Sequence, residues 1–277
     1  MAIAVEQLQQ IRQFMNDCSG VDIPLDKAYL VESRLTPLLA QHHCRDFVQL
    51  CDKLARNSQG LRTQVVDALT TQETLWFRDQ SFFDALSGEV LPALLAKARR
   101  QERVRIWSAA TATGQEIYSV TMLLDAVGRQ QDSGFNFNWF TILGSDISQA
   151  ALAIAKRGHY NHLAMSRGMR PEFLERYFTR KEGGFEVVPA IRDVVKFQQF
   201  NLRGGVPIAP DPFDLILCRN VLIYFPETLK QQICRQLATA LKKPSGFMAV
   251  GAAESLRGLE TNLVPVTVGK AVFYRAA

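Results

Sequence analysis

Apolar residues recur at helical intervals through roughly the first 75 positions. Val5, Leu8, Ile11, Phe14 and Met15 share one face of a helix, as do Tyr29, Leu30, Leu35, Leu38 and Leu39. Gly20 and Pro24 punctuate the gap between these stretches, and further helices are expected over about 47–56 and 60–69. After Arg78 the period changes. A long helix at about 80–100 leads into Val104-Arg-Ile-Trp-Ser108, a short run rich in β-formers. A glycine-containing turn and a helix at about 115–127 follow, then a strand at 140–146 with its helix at 148–157. Further on, 213–218 reads as a buried strand and 226–241 as a helix, while 247–251 and 266–274 read as closing strands. This alternation argues for a mostly parallel sheet covered by helices on both faces. Such sheets bind ligands at the C-terminal ends of their strands.

One stretch departs from the alternation. Residues 185–190 and 194–199 are β-rich runs with a short link, read as an antiparallel hairpin to which 177–180 adds a third strand. The expected fold is therefore α/β. A small all-helical domain (1–76) precedes a sheet domain (77–277) that carries an inserted antiparallel β-subdomain at about 176–200.

A chain of 277 residues, 47% hydrophobic and 21% charged, is long enough for one large core beside a small one. No apolar run approaches the roughly 18–20 residues of a membrane span. The N-terminus lacks the basic start and long apolar stretch of a secretion signal, so a cytoplasmic protein without membrane insertion is expected. The five cysteines are odd in number and scattered, which argues against a disulfide framework. Residues 1–100 hold 11 Lys+Arg and 12 Asp+Glu, whereas 156–203 hold 10 and 5, so much of the net charge of +5 lies in one segment. That basic surface suits an acidic protein partner or a nucleic acid, or is simply solvated.

Four stretches fall where a ligand site is expected. In Ser108-Ala-Ala-Thr-Ala-Thr-Gly-Gln-Glu-Ile-Tyr-Ser119, small residues and Gly114 let backbone approach a ligand, and the next helix aims its first amides at it. The G-x-G-x-x-G triplet is absent, which counts against a dinucleotide oxidoreductase. Asp146, at the end of the second strand and 32 positions after Gly114, can accept both hydroxyl protons of a ribose or cap the following helix; the glycine turn favours the ribose. In Cys218-Arg-Asn-Val-Leu-Ile-Tyr-Phe225, Asn220 presents an amide, and Tyr224 and Phe225 can wall in a cation, although Phe225 also suits ordinary core packing. In Thr70-Thr-Gln-Glu-Thr-Leu-Trp-Phe-Arg-Asp79, the fork of Arg78 matches a carboxylate bidentately, either a ligand's or that of an interdomain salt bridge.

Taken in order, these stretches resemble the CheR family of chemotaxis receptor (protein-glutamate) O-methyltransferases. The likeness runs from about residue 5 to the C-terminus; Gly158-His-Tyr160, Asn201-Leu202 and Glu254-Ser255 fit as well. The resemblance implies a Rossmann-like, class I methyltransferase sheet and S-adenosylmethionine as cofactor, with S-adenosylhomocysteine as product. It implies cofactor contacts from Gln72, Thr74, Arg78, Glu116, Asp146, Asn201, Leu202, Asn220 and Val221, with Arg78 on the methionine carboxylate and Asp146 on the ribose. The partner it implies is the cytoplasmic domain of chemoreceptors, or methyl-accepting chemotaxis proteins. Gln72 stands where the family often has Asn, Trp76 where it has Phe, and Gln115-Glu116 where it has a Glu pair. The Arg180-Lys-Glu-Gly-Gly-Phe185 connection is short beside members that grip a receptor's C-terminal peptide, so tethering of that kind is not expected.

A glutamate carboxylate, with a reference pKa near 4.3, is already ionised at neutral pH. It attacks a sulfonium methyl without a general base, so alignment and exclusion of water are the enzyme's task. Arg78 and Tyr224 are the candidates for shaping the reacting end. His42-His43-Cys44 with Cys51 matches no standard zinc spacing, and no metal is expected. Two rivals remain at this level. One is a non-catalytic S-adenosylmethionine-binding signalling module. The other, a methyltransferase of nucleic acid or small molecules, lacks the aromatic–basic interleaving that stacks bases.

Overall fold

The amphipathic stretches at the N-terminus form four helices, α1 (Val5–Ser19), α2 (Ala28–Gln41), α3 (Phe47–Ala55) and α4 (Gln59–Leu69). In this computed structural model the described residues are 2–56, 58–206 and 211–277. The apolar faces of α1–α4 meet in a core of their own, built on Leu8, Ile11, Met15, Val31, Leu35, Leu50, Leu61 and Val65. Each such side chain contributes about 1.5–3 kcal/mol on burial. Local signals set the helix ends. Asp46 caps α3 by accepting from the Gln49 N–H, and Gly20, in the left-handed region, closes α1.

A helical stretch follows as α5 (Gln80–Ala85), a π-helical turn (Leu86–Val90) and α6 (Leu91–Arg99). Strand β1 (Val104–Ser108) is followed by α7 (Gln115–Gln131), and β2 (Phe140–Asp146) by α8 (Gln149–Arg157). An insertion comes next, with β3 (His159–Tyr160), α9 (His162–Ser166), α10 (Pro171–Tyr177), β4 (Phe178–Lys181), β5 (Gly184–Val187) and α11 (Pro189–Arg192). The chain continues through β6 (Val195–Gln199), β7 (Leu215–Leu217), α12 (Glu227–Ala240), β8 (Phe247–Ala249), β9 (Leu263–Val268) and β10 (Ala271–Ala276). Seven strands form one sheet in the order β6-β2-β1-β7-β8-β10-β9, and three form a small antiparallel sheet, β3-β5-β4.

Side chains alternate across the large sheet. On β1, Ile106 joins a core with Phe82, Phe83, Leu86 and Ile117 on one face, while Trp107 joins Phe213, Ile233 and Leu237 on the other. Strands β6, β2, β1, β7 and β8 run parallel, so their C-terminal ends share one rim. Among the described residues, no helix is long and apolar enough to cross a membrane.

The structure corrects two expectations. Residues 194–199 do not pair with 185–190. Pro189 opens the single turn of α11, which redirects the chain so that β6 lies parallel to β2, Val195 opposite Ile142 and Gln199 opposite Asp146. The expected strand at 177–180 forms as β4, one residue later because Tyr177 ends α10, and it pairs with β5; the place expected for 194–199 is taken by His159–Tyr160. The 266–274 stretch is likewise not one strand. Gly269, at φ +55°, turns it into the β9–β10 hairpin, in which Val268 pairs with Ala271.

Candidate active site

Strand β1 delivers the chain to the rim at Ser108, and a tight turn then leads into α7. Gly114 has φ +95°, and a Cβ there would lie 3.0 Å from the Ala155 Cβ and 3.1 Å from the Tyr160 Oη, so the turn requires glycine. Tyr160 secures it by donating to the Thr113 carbonyl at 2.7 Å. At the end of β2, Asp146 accepts from the Ala112 N–H at 2.8 Å and the Ser148 N–H at 2.9 Å. It does not cap α8; Ser148 does, accepting from the Ala151 N–H. Burial pushes the Asp146 carboxyl above its ordinary range, against the opposing pull of its backbone N–H donors.

At the end of β7, Asn220 adopts φ +59° and is held there by Glu254. One Glu254 oxygen accepts from the N–H groups of Asn220 and Gly251, each at 2.7 Å, and the other from Ile223 at 3.3 Å. Val221 and Tyr224 follow, and the Tyr224 carbonyl accepts from the Asp22 N–H, joining this loop to the helical unit.

The linker between α4 and α5 forms another wall. Arg34 steadies its start through the Leu69 and Thr70 carbonyls. Trp76, fully buried, sits edge-on to Tyr160 and Phe178 at 4.9 and 5.4 Å. Phe77 and Asp79, on either side of Arg78, both have positive φ. Among the described residues no carboxylate pairs with the Arg78 guanidinium, so the interdomain salt bridge weighed above is not formed and the fork is available to a ligand.

These walls enclose a single cleft lined by Gln72, Thr74, Arg78, Glu116, Asp146, Asn201, Leu202, Asn220, Val221 and Tyr224. The site residues expected from the sequence therefore converge. Asn201 differs in what its side chain does. The amide donates to the Cys18 carbonyl at 2.7 Å and accepts from the Arg203 N–H, so it fastens α1 to the rim.

The cleft fits a zwitterionic or cationic ligand. Its charged lining is Glu73, Glu116 and Asp146 against Arg78 and Arg219, an acidic excess of one. The buried Oε1 of Gln72 has no partner, an acceptor waiting for a donor from a ligand. This set matches S-adenosylmethionine, with Arg78 for a carboxylate, Asp146 for ribose hydroxyls, and acidic groups for an amine and a sulfonium.

Sequence reasoning missed several contributors. Ser19 and Val21 reach the cleft from the helical unit, a placement signalled only by the Gly20 break. Glu254 fitted the motif pattern but was assigned no role. Arg219, inside the quoted Cys218–Phe225 motif, was passed over, although it is buried and bonded to Glu116. The residues weighed for a metal lie in the helical unit. Cys44 and Cys51 are buried in its core, burial pushes the Cys51 thiol up to about 11, and His42 contacts Gln64. Among the described residues no group of three or more His, Cys, Asp or Glu is placed to hold a metal ion.

Residues 72–272 match the family model described as CheR methyltransferase, SAM binding domain, and residues 6–70 match CheR methyltransferase, all-alpha domain. Chemotaxis protein methyltransferase 1 of Pseudomonas aeruginosa is 39% identical over 277 residues, covering 100% of both chains. A chemotaxis protein methyltransferase of Pseudomonas putida is 38% identical over 97% of each chain, and one of Vibrio parahaemolyticus is 34% identical over 99% of this chain and 98% of its own.

Proposed function

Because the chain belongs to the CheR methyltransferase family and binds S-adenosylmethionine, we propose that it esterifies glutamate side chains in the cytoplasmic domain of chemoreceptors, acting in the cytoplasm. A division near residue 76 into a helical domain and a methyltransferase domain belongs to the same reading. The observation that carries it is the convergence, in one cleft at the rim of the sheet, of every residue the resemblance assigns to the cofactor.

When bound, S-adenosylmethionine supplies an electrophilic methyl group on a sulfonium. Arg78 would hold the carboxylate end of the donor, and Asp146 the ribose, which together would fix the position of the methyl group. Tyr224, in the lining of the cleft, would wall the reacting end without exchanging a proton. A glutamate carboxylate of the substrate is already ionised and would accept that methyl group directly, so that its negative charge and the donor's positive charge cancel. No proton moves, so no general base is required, and rate comes from alignment and exclusion of water. The β4–β5 turn is only Glu182-Gly183, since Lys181 pairs with Gly184. This supports docking without a grip on a receptor's C-terminal peptide.

The test is tritiated methyl transfer to receptor-containing membranes. Label released as volatile methanol by mild base is the expected result. Stable label would indicate a different acceptor. Bound donor with no transfer would indicate a binding module.

A further inference from the structure

We propose that Arg219 is a positioning residue for the methyl donor, one planar guanidinium that fixes Glu116 and the Arg78 turn relative to each other; this rests on the donor-binding reading above. Arg219 leaves the rim directly after β7, and its side chain is 1% exposed. A charge so buried is tolerated only when paired and hydrogen-bonded. Nη1 donates to Glu116 Oε2 at 2.8 Å. Nη2 donates to the Arg78 carbonyl at 3.1 Å and to the Asp79 carboxylate. The guanidinium lies 4.0 Å from the centre of the Phe82 ring, on α5. It thereby ties together the start of α7, the turn at 77–79 and α5.

The support falls where the backbone needs it. Phe77 and Asp79 have φ of +47° and +69°, a conformation that non-glycine residues hold only when the surroundings enforce it. Arg78 lies between them, so its reach into the cleft depends on that turn. The Phe77 N–H is held separately by the Ser119 hydroxyl at 3.2 Å, which leaves the other end of the turn to Arg219. Glu116 is fixed on both oxygens, by Arg219 and by the Ser108 hydroxyl at 3.0 Å. Charge follows the same logic. Two carboxylates beside one guanidinium keep this cluster acidic, so a buried cation beside the cleft does not repel a sulfonium. A lysine keeps the charge but, as a point donor on a flexible stem, cannot span this set of acceptors as the planar fork does.

Calorimetric titration of S-adenosylhomocysteine into the full chain tests the role. Arg219→Lys is expected to bind roughly 10- to 100-fold more weakly, the usual loss when a group behind the ligand contacts is removed. Asp79→Asn, which removes the charge of one arm and keeps Arg219, should show a smaller loss. Guanidinium chloride at low millimolar concentration should restore binding to Arg219→Ala, where ammonium does not. Arg78→Ala should cost less in the Arg219→Lys background than in wild type, since both act on one unit. Wild type that fails to bind product would sink the donor-binding reading itself. Wild type that binds, with Arg219→Lys binding within about twofold of it, would overturn the positioning role alone. Additive losses without guanidinium rescue would also overturn it. Should Arg219→Ala not fold, Arg219→Lys and Asp79→Asn decide the matter.

Discussion

Replacing Arg78 by alanine is expected to raise the dissociation constant for S-adenosylhomocysteine by roughly 30- to 4,000-fold, equivalent to about 2–5 kcal/mol. The size follows from where the charge sits. Among the described residues Arg78 has no carboxylate partner, yet it is half-buried in the lining of the cleft. A ligand carboxylate would therefore satisfy its fork, and would be left desolvated and unpaired without it. The melting temperature of the unliganded protein should change little, because the turn is held through the Arg78 carbonyl, which alanine keeps. Calorimetry on the variant checks both statements. Affinity within about threefold of wild type would show that Arg78 does not meet the carboxylate.

Asp146→Asn is the second large effect, and it has a pH signature. Asparagine keeps the shape and one acceptor but loses the second acceptor and the charge. Product binding should weaken by at least about tenfold, as expected for a charge-assisted bond worth roughly 1.5–3 kcal/mol. Burial raises the Asp146 carboxyl above its ordinary value. The folded protein therefore holds this proton more tightly than the unfolded chain does. The group's contribution to stability is present at low pH and is lost as pH rises from the unfolded pKa near 3.9 through the raised folded one. Ligand binding runs the other way, since ribose hydroxyls donate to the ionised form. Affinity should be flat above the raised pKa and fall as pH drops below it, at a higher pH than an ordinary aspartate would produce. Asp146→Asn should abolish that limb, and a limb that survives would assign it to another group.

Much of this site was legible in the chain because its parts are local. Phe140–Asp146 reads as a strand from its own composition, and the structure keeps both bounds. The glycine turn before α7 and the Cys218–Phe225 stretch are contiguous, so their chemistry survives without knowledge of the packing. What escaped was non-local. Residues 194–199 carry strand-forming side chains, but their partner lies about 50 positions upstream, and only the redirection at Pro189 decides between hairpin and parallel edge. The β9–β10 reversal rests on one positive-φ glycine amid residues that otherwise suit a continuous strand. Arg219 was hidden for a related reason. A basic residue at a strand end is ordinarily read as solvated, and its acceptors at Asp79, Glu116 and the Arg78 carbonyl come together only when two separate segments fold against β7.

The central claim is that the rim of this sheet binds S-adenosylmethionine and its product. Thermal melting of the full chain with S-adenosylhomocysteine tests it most directly. At a ligand concentration of about 100 times Kd, the native state should gain about 2.7 kcal/mol, which raises the melting temperature by roughly 5–10 °C. An unchanged melting temperature at millimolar product would contradict it.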